Sequence, residues 1–428
     1  MGIQEDTVNS TGPRLPWAGK RVEMEEIEET LTTFWHMSAD NVRIAQNLNV
    51  RTSVLNFVIC VPNATLAREA SAVIRDLSST HIARVILLIL DSDPSSPDAV
   101  FTWVTLRSFP VISDITRHNF EQITMLASGS AVRAISNIIH PLLKPDLPVY
   151  TWWLQDIPTN PAVFSSLARF SNRIIIDSDG FSQPTESIRT LTRLIPTLPE
   201  SAISDLNWGR ITPWRQLVAQ FFDGEYKHYL NSINTIEIEH AVHVQSDETS
   251  SSGDGKEPPA PRLNATRALL MAGWLKTSLN WQFSANQFPV ETDIRTGTYH
   301  WQMALVGQSP ARTTQSLSTG RTGKLKALTY GTIDIQPRVE PALPPGTLCL
   351  VRLSGSVDNK RAVFTINRGE DLDHVVTLVE IEDGTRPART VSMNANPAIS
   401  ELLHDELEIM KRDHLYEQAL QEIAELLS

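Results

Sequence analysis

The octapeptide DLPVYTWW occupies residues 146–153. Pro145 and Pro148 break the helical pattern that precedes it, and Val149, Tyr150, Thr151, Trp152, Trp153 and Leu154 then follow without a charge. β-Branched and aromatic residues in a short run bounded by turn residues predict a buried strand. Helical patterns flank it, residues 128–143 before and 162–170 after, so the strand is expected inside a parallel sheet built of crossover units. Trp152 and Trp153 close the strand at the end where open α/β sheets build their binding surfaces.

The alternation continues on both sides. RTSVLNFVICVP (51–62) reads as a strand, and Asn63 or Thr65 is placed to cap a helix running to residue 79. ARVILLIL (83–90) is apolar throughout, the pattern of a strand covered on both faces. Residues 100–109 alternate and are expected as an edge strand or half of a hairpin, and 121–126 as a short strand. Beyond the octapeptide come a strand at 173–177 (RIIID), helices at 184–198 and 213–234, and a strand at 236–244. Together these predict an N-terminal α/β domain over residues 21–245, a doubly wound, mostly parallel, Rossmann-like sheet. A helix at 22–37 opens it. Residues 1–20 are expected to be a flexible tail in which Leu15 and Trp17 are able to dock.

Residues 246–262, SDETSSSGDGKEPPAPR, contain no aromatic residue, four serines and three prolines. That composition predicts a solvated linker and the domain boundary. The C-terminal domain, residues 263–428, starts with a helix at 265–279. Strands follow at 299–306, 324–335, 348–355, 362–368 and 374–380, and helices at 399–427. Short turns between alternating strands predict an α+β domain with a mainly antiparallel sheet and terminal helices.

A chain of 428 residues with 41% hydrophobic content has material for two or three packed domains. Its net charge of −12 argues against general nucleic-acid binding. No apolar run approaches a membrane span, and the N-terminus lacks a basic segment followed by an apolar one, so a soluble, cytoplasmic protein without membrane contact is expected. The two cysteines, Cys60 and Cys349, are too few for a zinc site. They read either as small buried hydrophobes or as a redox pair that meets across a domain interface.

Chemical motifs are thin. The dinucleotide fingerprint G-x-G-x-x-G is absent after the first strand, where the chain reads VPNATLAR, and no cofactor is expected. GRTGK (320–324) has the wrong spacing for a phosphate loop. Ser128-Gly129-Ser130 follows a strand and opens a helix, which suits either an N-cap or an anion site. The anion site would make the protein a sugar-phosphate or nucleotide sensor, or an enzyme acting at the sheet edge. His240 and His243 fall on opposite faces of a strand, His404-Asp405-Glu406 is not a zinc motif, and Asp177–Gly180 lacks the distal glutamate of a calcium loop. No nucleophile with a base is evident, so no catalytic, cofactor or metal residues are assigned. Interface chemistry remains. The candidates are Leu15 and Trp17, Trp152 and Trp153, and a basic loop at 308–326 carrying Arg312, Arg321 and Lys324.

Four stretches in order, DLPVYTWW (146–153), RIIIDS (173–178), MAGWLKTSLNW (271–281) and RDHLYEQAL (412–420), resemble the OpcA family of cyanobacterial and actinobacterial glucose-6-phosphate dehydrogenase assembly proteins. The resemblance spans both domains. It implies a non-enzymatic partner that binds glucose-6-phosphate dehydrogenase, favours its active oligomer and raises its activity in the oxidative pentose phosphate pathway. It also implies a redox signal from thioredoxin, for which Cys60 and Cys349 would be the receiving thiols.

Overall fold

The computed structural model describes residues 13–43, 48–49, 53–77, 83–93, 95–110, 116–243, 264–281, 291–293, 297–305, 329–369, 371–382, 384–409 and 411–427. Two nine-stranded sheets share them. The strands of the first are β1 (Lys20–Val22), β2 (Leu48–Asn49), β3 (Leu55–Val61), β4 (Ala83–Asp91), β5 (Ala99–Pro110), β6 (Thr116–Ser128), β7 (Val149–Trp153), β8 (Arg173–Ile176) and β9 (Ala202–Asp205). Their order is β1-β5-β6-β4-β3-β7-β8-β9, with β2 beside β6. From β6 to β9 every pairing is parallel. The chain winds outward both ways from β3, so the switch point lies between β3 and β7, as in doubly wound nucleotide-binding folds. All residues of β3 and β7 are buried, which is why both read as unbroken apolar runs.

Residues 100–109 form half of a hairpin with the next strand, β6, and not an edge strand, because β5 is internal. β5 pairs antiparallel with β6 on one side and with β1 on the other. The tail therefore needs correcting where it is described. Residues 16–18 form a single 3-10 turn, Leu15 and Ala18 are buried, and Lys20 begins β1. Leu15 and Ala18 belong to the same apolar cluster as Leu87 and Trp103, and that burial draws the segment onto the sheet.

The second sheet holds β10 (Ile233–Val242), β11 (Glu291–Asp293), β12 (Thr298–Leu305), β13 (Thr329–Val339), β14 (Leu348–Val357), β15 (Lys360–Arg368), β16 (His374–Ile381), β17 (Gly384–Thr385) and β18 (Arg389–Ser392). Its order is β11-β12-β13-β10-β14-β15-β16-β17, with β18 beside β16. All pairings are antiparallel except β10 with β13. The strand expected at 236–244 to close the first unit is thus an inner strand of the second. Its own residues explain this. Ile236 and Ile238 are buried while Glu237 and Glu239 are half-buried, a two-residue period that suits a sheet with one open face. The chain changes sheet between Asp205 and Ile233, and the predicted linker at 246–262 lies outside the described residues.

Helix placement follows the two faces of the first sheet. On β3, Val58 and Cys60 enter one core and Phe57, Ile59 and Val61 the other. The first core takes α1 (Ile27–Arg43), α3 (Ser130–Ile139), α4 (Ala162–Ala168) and α5 (Pro184–Leu194) through Ile27, Ile135, Phe164 and Leu191. The second takes α2 (Ala64–Leu77), which covers only part of that face. The remainder is covered from far down the chain by α9 (Ile399–Glu408), whose Leu402, Leu403 and Leu407 join Trp152, Ile175 and Leu206. The first core runs on into the second sheet without a break. α6 (Leu206–Arg210) and α7 (Thr212–Phe222) lead there, and Phe221 and Phe222 pack on Phe364 of β15 at 5.5 and 4.9 Å between ring centroids.

α8 (Thr266–Ser278) is buried on nearly every side, and α10 (His414–Leu426) lies against it. They meet at Gly273, where a Cβ would stand 2.5 Å from the Ala419 carbonyl oxygen and 2.8 Å from Ile423 Cγ1. Helix propensity alone favours alanine over glycine by about 1 kcal/mol. A backbone oxygen cannot step aside, and overpacking costs about 1–3 kcal/mol. Gly273→Ala is therefore expected to lower the urea midpoint of unfolding, with Gly273→Val lowering it further. An unchanged or higher midpoint for the alanine variant would show that the helices separate at little cost.

Candidate functional site

In a doubly wound sheet an anion is held by free N–H groups at a helix N-terminus near the switch point. Of the helix starts along this end of the sheet, those of α2 and α3 are capped by the chain itself, while α4, which follows β7, begins after Pro161 without a side-chain cap. Asn63 Oδ1 accepts the Leu66 N–H at 2.9 Å at the start of α2. At the start of α3, Gly129 takes φ +62°, and the Asp98 carboxylate accepts both the Ser130 N–H and the Ser130 hydroxyl at 2.6 Å. These bonds hold the Asp98 carboxyl below its usual range. A Cβ on Gly129 would lie against Asp98 Oδ1, so glycine is what permits the approach. The Ser128–Ser130 segment is a capped helix start, and its N-terminal charge is already answered.

The densest polar chemistry lies at the C-terminal ends of β8 and β9, where the first sheet meets α8 and the loop before β14. Asp177 forms a two-pronged pair with Arg210, at 2.6 and 2.9 Å. Arg210 also reaches Asn207 Oδ1 at 2.9 Å, and Arg267 Nε donates to the same oxygen at 3.0 Å. Arg267 continues to Thr347 Oγ1 at 3.0 Å and to Asp179 at 3.1 Å. Asn264 donates to the carbonyls of Ser178 and Asp179. Beneath them, Asp205 is 1% exposed and accepts the backbone N–H groups of Ser178 at 3.0 Å and Asn207 at 2.9 Å. Burial, followed by the neighbouring Asp177, pushes the Asp205 carboxyl up to about 7. The turn Asp177–Gly180, which lacks a calcium-loop glutamate, is thus an anchor for two arginines. Among the described residues no group of three or more His, Cys, Asp or Glu side chains is placed to hold a metal.

Sequence reasoning passed over this joint because its members are scattered. Arg210 and Arg267 lie 33 and 88 residues from the aspartates they grip. The available signal was charged residues directly after apolar strands, Asp177 after β8 and Asp205 at the end of β9.

The named interface candidates distribute differently. Trp152 and Trp153 are 1% and 2% exposed and point into opposite cores. Trp152 stacks on Phe57 at 6.4 Å, and Trp153 meets Phe164 edge-on at 5.2 Å. Strand alternation sends neighbouring side chains to opposite faces, and both faces here are covered, so neither indole reaches a partner. Leu15 is core, while Trp17 is half-buried against it. Arg312, Arg321 and Lys324 lie outside the described residues.

The redox reading also needs correction. Cys60 sits in β3 and Cys349 in β14, in different sheets and different apolar clusters, both free and buried. Burial pushes the Cys60 thiol far up and the Cys349 thiol to about 11. Exchange requires an accessible thiolate, which neither site supplies as folded.

Two family profiles match the chain. One, described as the glucose-6-phosphate dehydrogenase subunit N-terminal domain, covers residues 74–193, and the other, described as the C-terminal domain of that subunit, covers 201–420. Among curated proteins, the OxPP cycle protein OpcA of Synechocystis sp. is 26% identical over 307 residues, which is 68% of this chain and 58% of the relative. That of Nostoc punctiforme is 28% identical over 181 residues, 42% of this chain and 33% of the relative. The chain therefore spans well under two thirds of the length of these relatives. Among solved structures, an NAD-binding oxidoreductase from Klebsiella pneumoniae is similar at a TM-score of 0.45 and 10% identity, covering 88% of this chain and 95% of that one.

The raised carboxyl of Asp205 sets a pH dependence. The folded protein keeps that proton to about pH 7, whereas the unfolded chain loses it near 3.8. Across this window the folded state binds more protons, so the contribution of Asp205 to stability falls as pH rises and levels off above 7. Asp205→Asn keeps an oxygen for the Ser178 and Asn207 N–H groups and removes the titration. The melting temperature of the variant is expected to gain on that of the parent between pH 5 and pH 8. Parallel melting curves over that range would contradict a buried carboxyl titrating there.

Proposed function

Because the chain belongs to the OpcA family of glucose-6-phosphate dehydrogenase assembly proteins, we propose that it binds glucose-6-phosphate dehydrogenase as a non-catalytic assembly factor and activator. The observation that carries this reading is the pair of family profiles, which together run from residue 74 to residue 420. On this reading it acts in the cytoplasm, within the oxidative pentose phosphate pathway.

Activation of this kind is a difference in affinity. A binding protein shifts an enzyme only by holding its competent state more tightly than the other. A partner whose own parts are fixed loses little freedom on docking, and more of its contact energy remains for that discrimination. The Asp179–Arg267 pair, which ties the first sheet to α8, and the Asp177–Arg210 pair, which ties it to α6, supply such a fixed body. The proposal is that the active oligomer of the dehydrogenase is the state held.

The competing reading, a sugar-phosphate or nucleotide sensor, calls for free helix N-termini at the switch point. Asn63 caps α2 beside that point and Asp98 caps α3, and the uncapped start left there belongs to α4, a helix of only seven residues. A thioredoxin signal acting on this chain would have to reach Cys60 and Cys349 through the packed core.

The decisive experiment mixes this protein with the glucose-6-phosphate dehydrogenase of the same cell and follows mass by size-exclusion chromatography with light scattering. One complex of defined mass is expected, unchanged by reductant. In a parallel titration at fixed enzyme, the protein should lower the glucose 6-phosphate concentration needed for half-maximal rate. Separate peaks together with unchanged kinetics at saturating protein would overturn the assignment.

A further inference from the structure

At the turn between α9 and α10, Ile409 and Leu415 expose apolar surface beside backbone groups that the interior anchors. Ile409 is 43% exposed and Leu415 is 50% exposed. Both line the mouth of one cavity of about 290 Å³, between the edge strand β9 and the start of α10. A single exposed aliphatic residue is ordinary, but two at the mouth of one pocket form an anchor site of the kind that fills a partner's interface centre.

The turn is pinned from below. Arg173, the first residue of β8, is 2% exposed and donates to the Ile409 carbonyl at 3.1 Å and the Lys411 carbonyl at 2.5 Å. It also pairs with Glu406 at 3.2 Å. Arg412 donates to the carbonyls of Leu198 and Pro199 and pairs with Glu417 at 2.8 Å. Asp413 caps α10 by accepting the Leu415 and Tyr416 N–H groups, and its other oxygen accepts Trp208 Nε1 at 2.7 Å. The exposure of Ile409 and Leu415 is therefore a fixed feature of the surface. A buried arginine and a helix cap hold them outward, and little ordering entropy is left to lose when something covers them.

Charge selects the occupant. The carboxylates that line the cavity are engaged within the protein, Glu406 by Arg173 and Asp413 by the α10 N-terminus and Trp208. On the same rim Lys411 is exposed, and the exposed His414 stands 3.5 Å from Glu417 Oε2. The mouth thus presents an apolar pocket with the Lys411 ammonium on its rim, on a chain of net charge −12.

We propose that the α9–α10 turn is the surface by which this protein docks on its dehydrogenase, and that it takes an apolar side chain of the enzyme flanked by carboxylates. This rests on the assembly reading above. Ile409 and Leu415 supply the contact area, and Lys411 sets orientation and approach.

The test uses the full chain and the dehydrogenase, with Kd read by calorimetry. Ile409→Glu and Leu415→Glu place a carboxylate against the enzyme's own, and each is expected to weaken binding about tenfold or more. Lys411→Glu should weaken it about threefold or more at low salt and less at high salt. Val339→Glu alters a still more exposed aliphatic position on the second sheet, 60% exposed, and should bind as the parent does. All four sites are solvent-facing, and circular dichroism melts matching the parent identify folded variants. If the parent chain forms no complex, the assembly reading fails and the docking surface falls with it. If the parent binds and the glutamate variants at 409 and 415 stay within twofold of it, the assembly reading stands and this surface is wrong. A loss in Val339→Glu equal to theirs would also overturn the assignment.

Discussion

Arg267 is 3% exposed, and its guanidinium reaches acceptors drawn from distant parts of the chain: Asn207 in α6, Asp179 after β8, and Thr347 before β14. A cation stripped of water costs several kcal/mol unless its donors are answered, and burial accordingly pulls this arginine's pKa down while Asp179 opposes the shift. The requirement runs in both directions. Each acceptor must stand where the guanidinium reaches it, so the first sheet, α8 and the second sheet can sit in only one way. Well-packed hydrophobic residues of the same volume hold such parts as tightly but tolerate sliding; directional bonds do not.

Everything packed between the sheets answers to that arrangement. α8 is buried on almost all sides because it touches both α10 and the second sheet, and Gly273 lets α10 approach to backbone contact. α10 can lie there only if its first turn is in place. That turn is fixed by Asp413, by Trp208 from α6, and by Arg412 on the carbonyls before β9. The anchoring bonds of the α9–α10 turn are therefore continuous with those of the interior. Surface geometry on this face is inherited from the joint and owes little to local loop preference.

The parts of this architecture that were legible in the sequence are those that depend on neighbours in the chain. Val149–Trp153 reads as a buried strand because both its faces are covered, and Ala83–Leu90 reads so for the same reason. β9 is four residues long and ends in an aspartate, too short for a period to register. β10 was legible as a strand but not as a member of its sheet, because pairing with residues near 332 and 354 leaves no local trace. The paired tryptophans show the limit of a positional rule. The end of a parallel strand is where sites are built, yet alternation places Trp152 and Trp153 in separate interiors. The joint was illegible in a different way. Asp177 and Asp179 were visible as an incomplete metal loop, and only the fold brings the arginines that make sense of them.

One face of the first sheet owes part of its cover to α9, through Leu402, Leu403 and Leu407. During synthesis the chain emerges from its N-terminus, and residues 55–205 are made some two hundred residues before that helix. Until then Trp152, Ile175 and Leu206 have no lid. The nascent sheet must wait with an oily surface turned to the cell, which is a situation for a holding chaperone. A message truncated before residue 399 would leave that surface bare for good. Completion of α9 is thus what closes this face, and the ribosome supplies the two halves of a single core some two hundred residues apart.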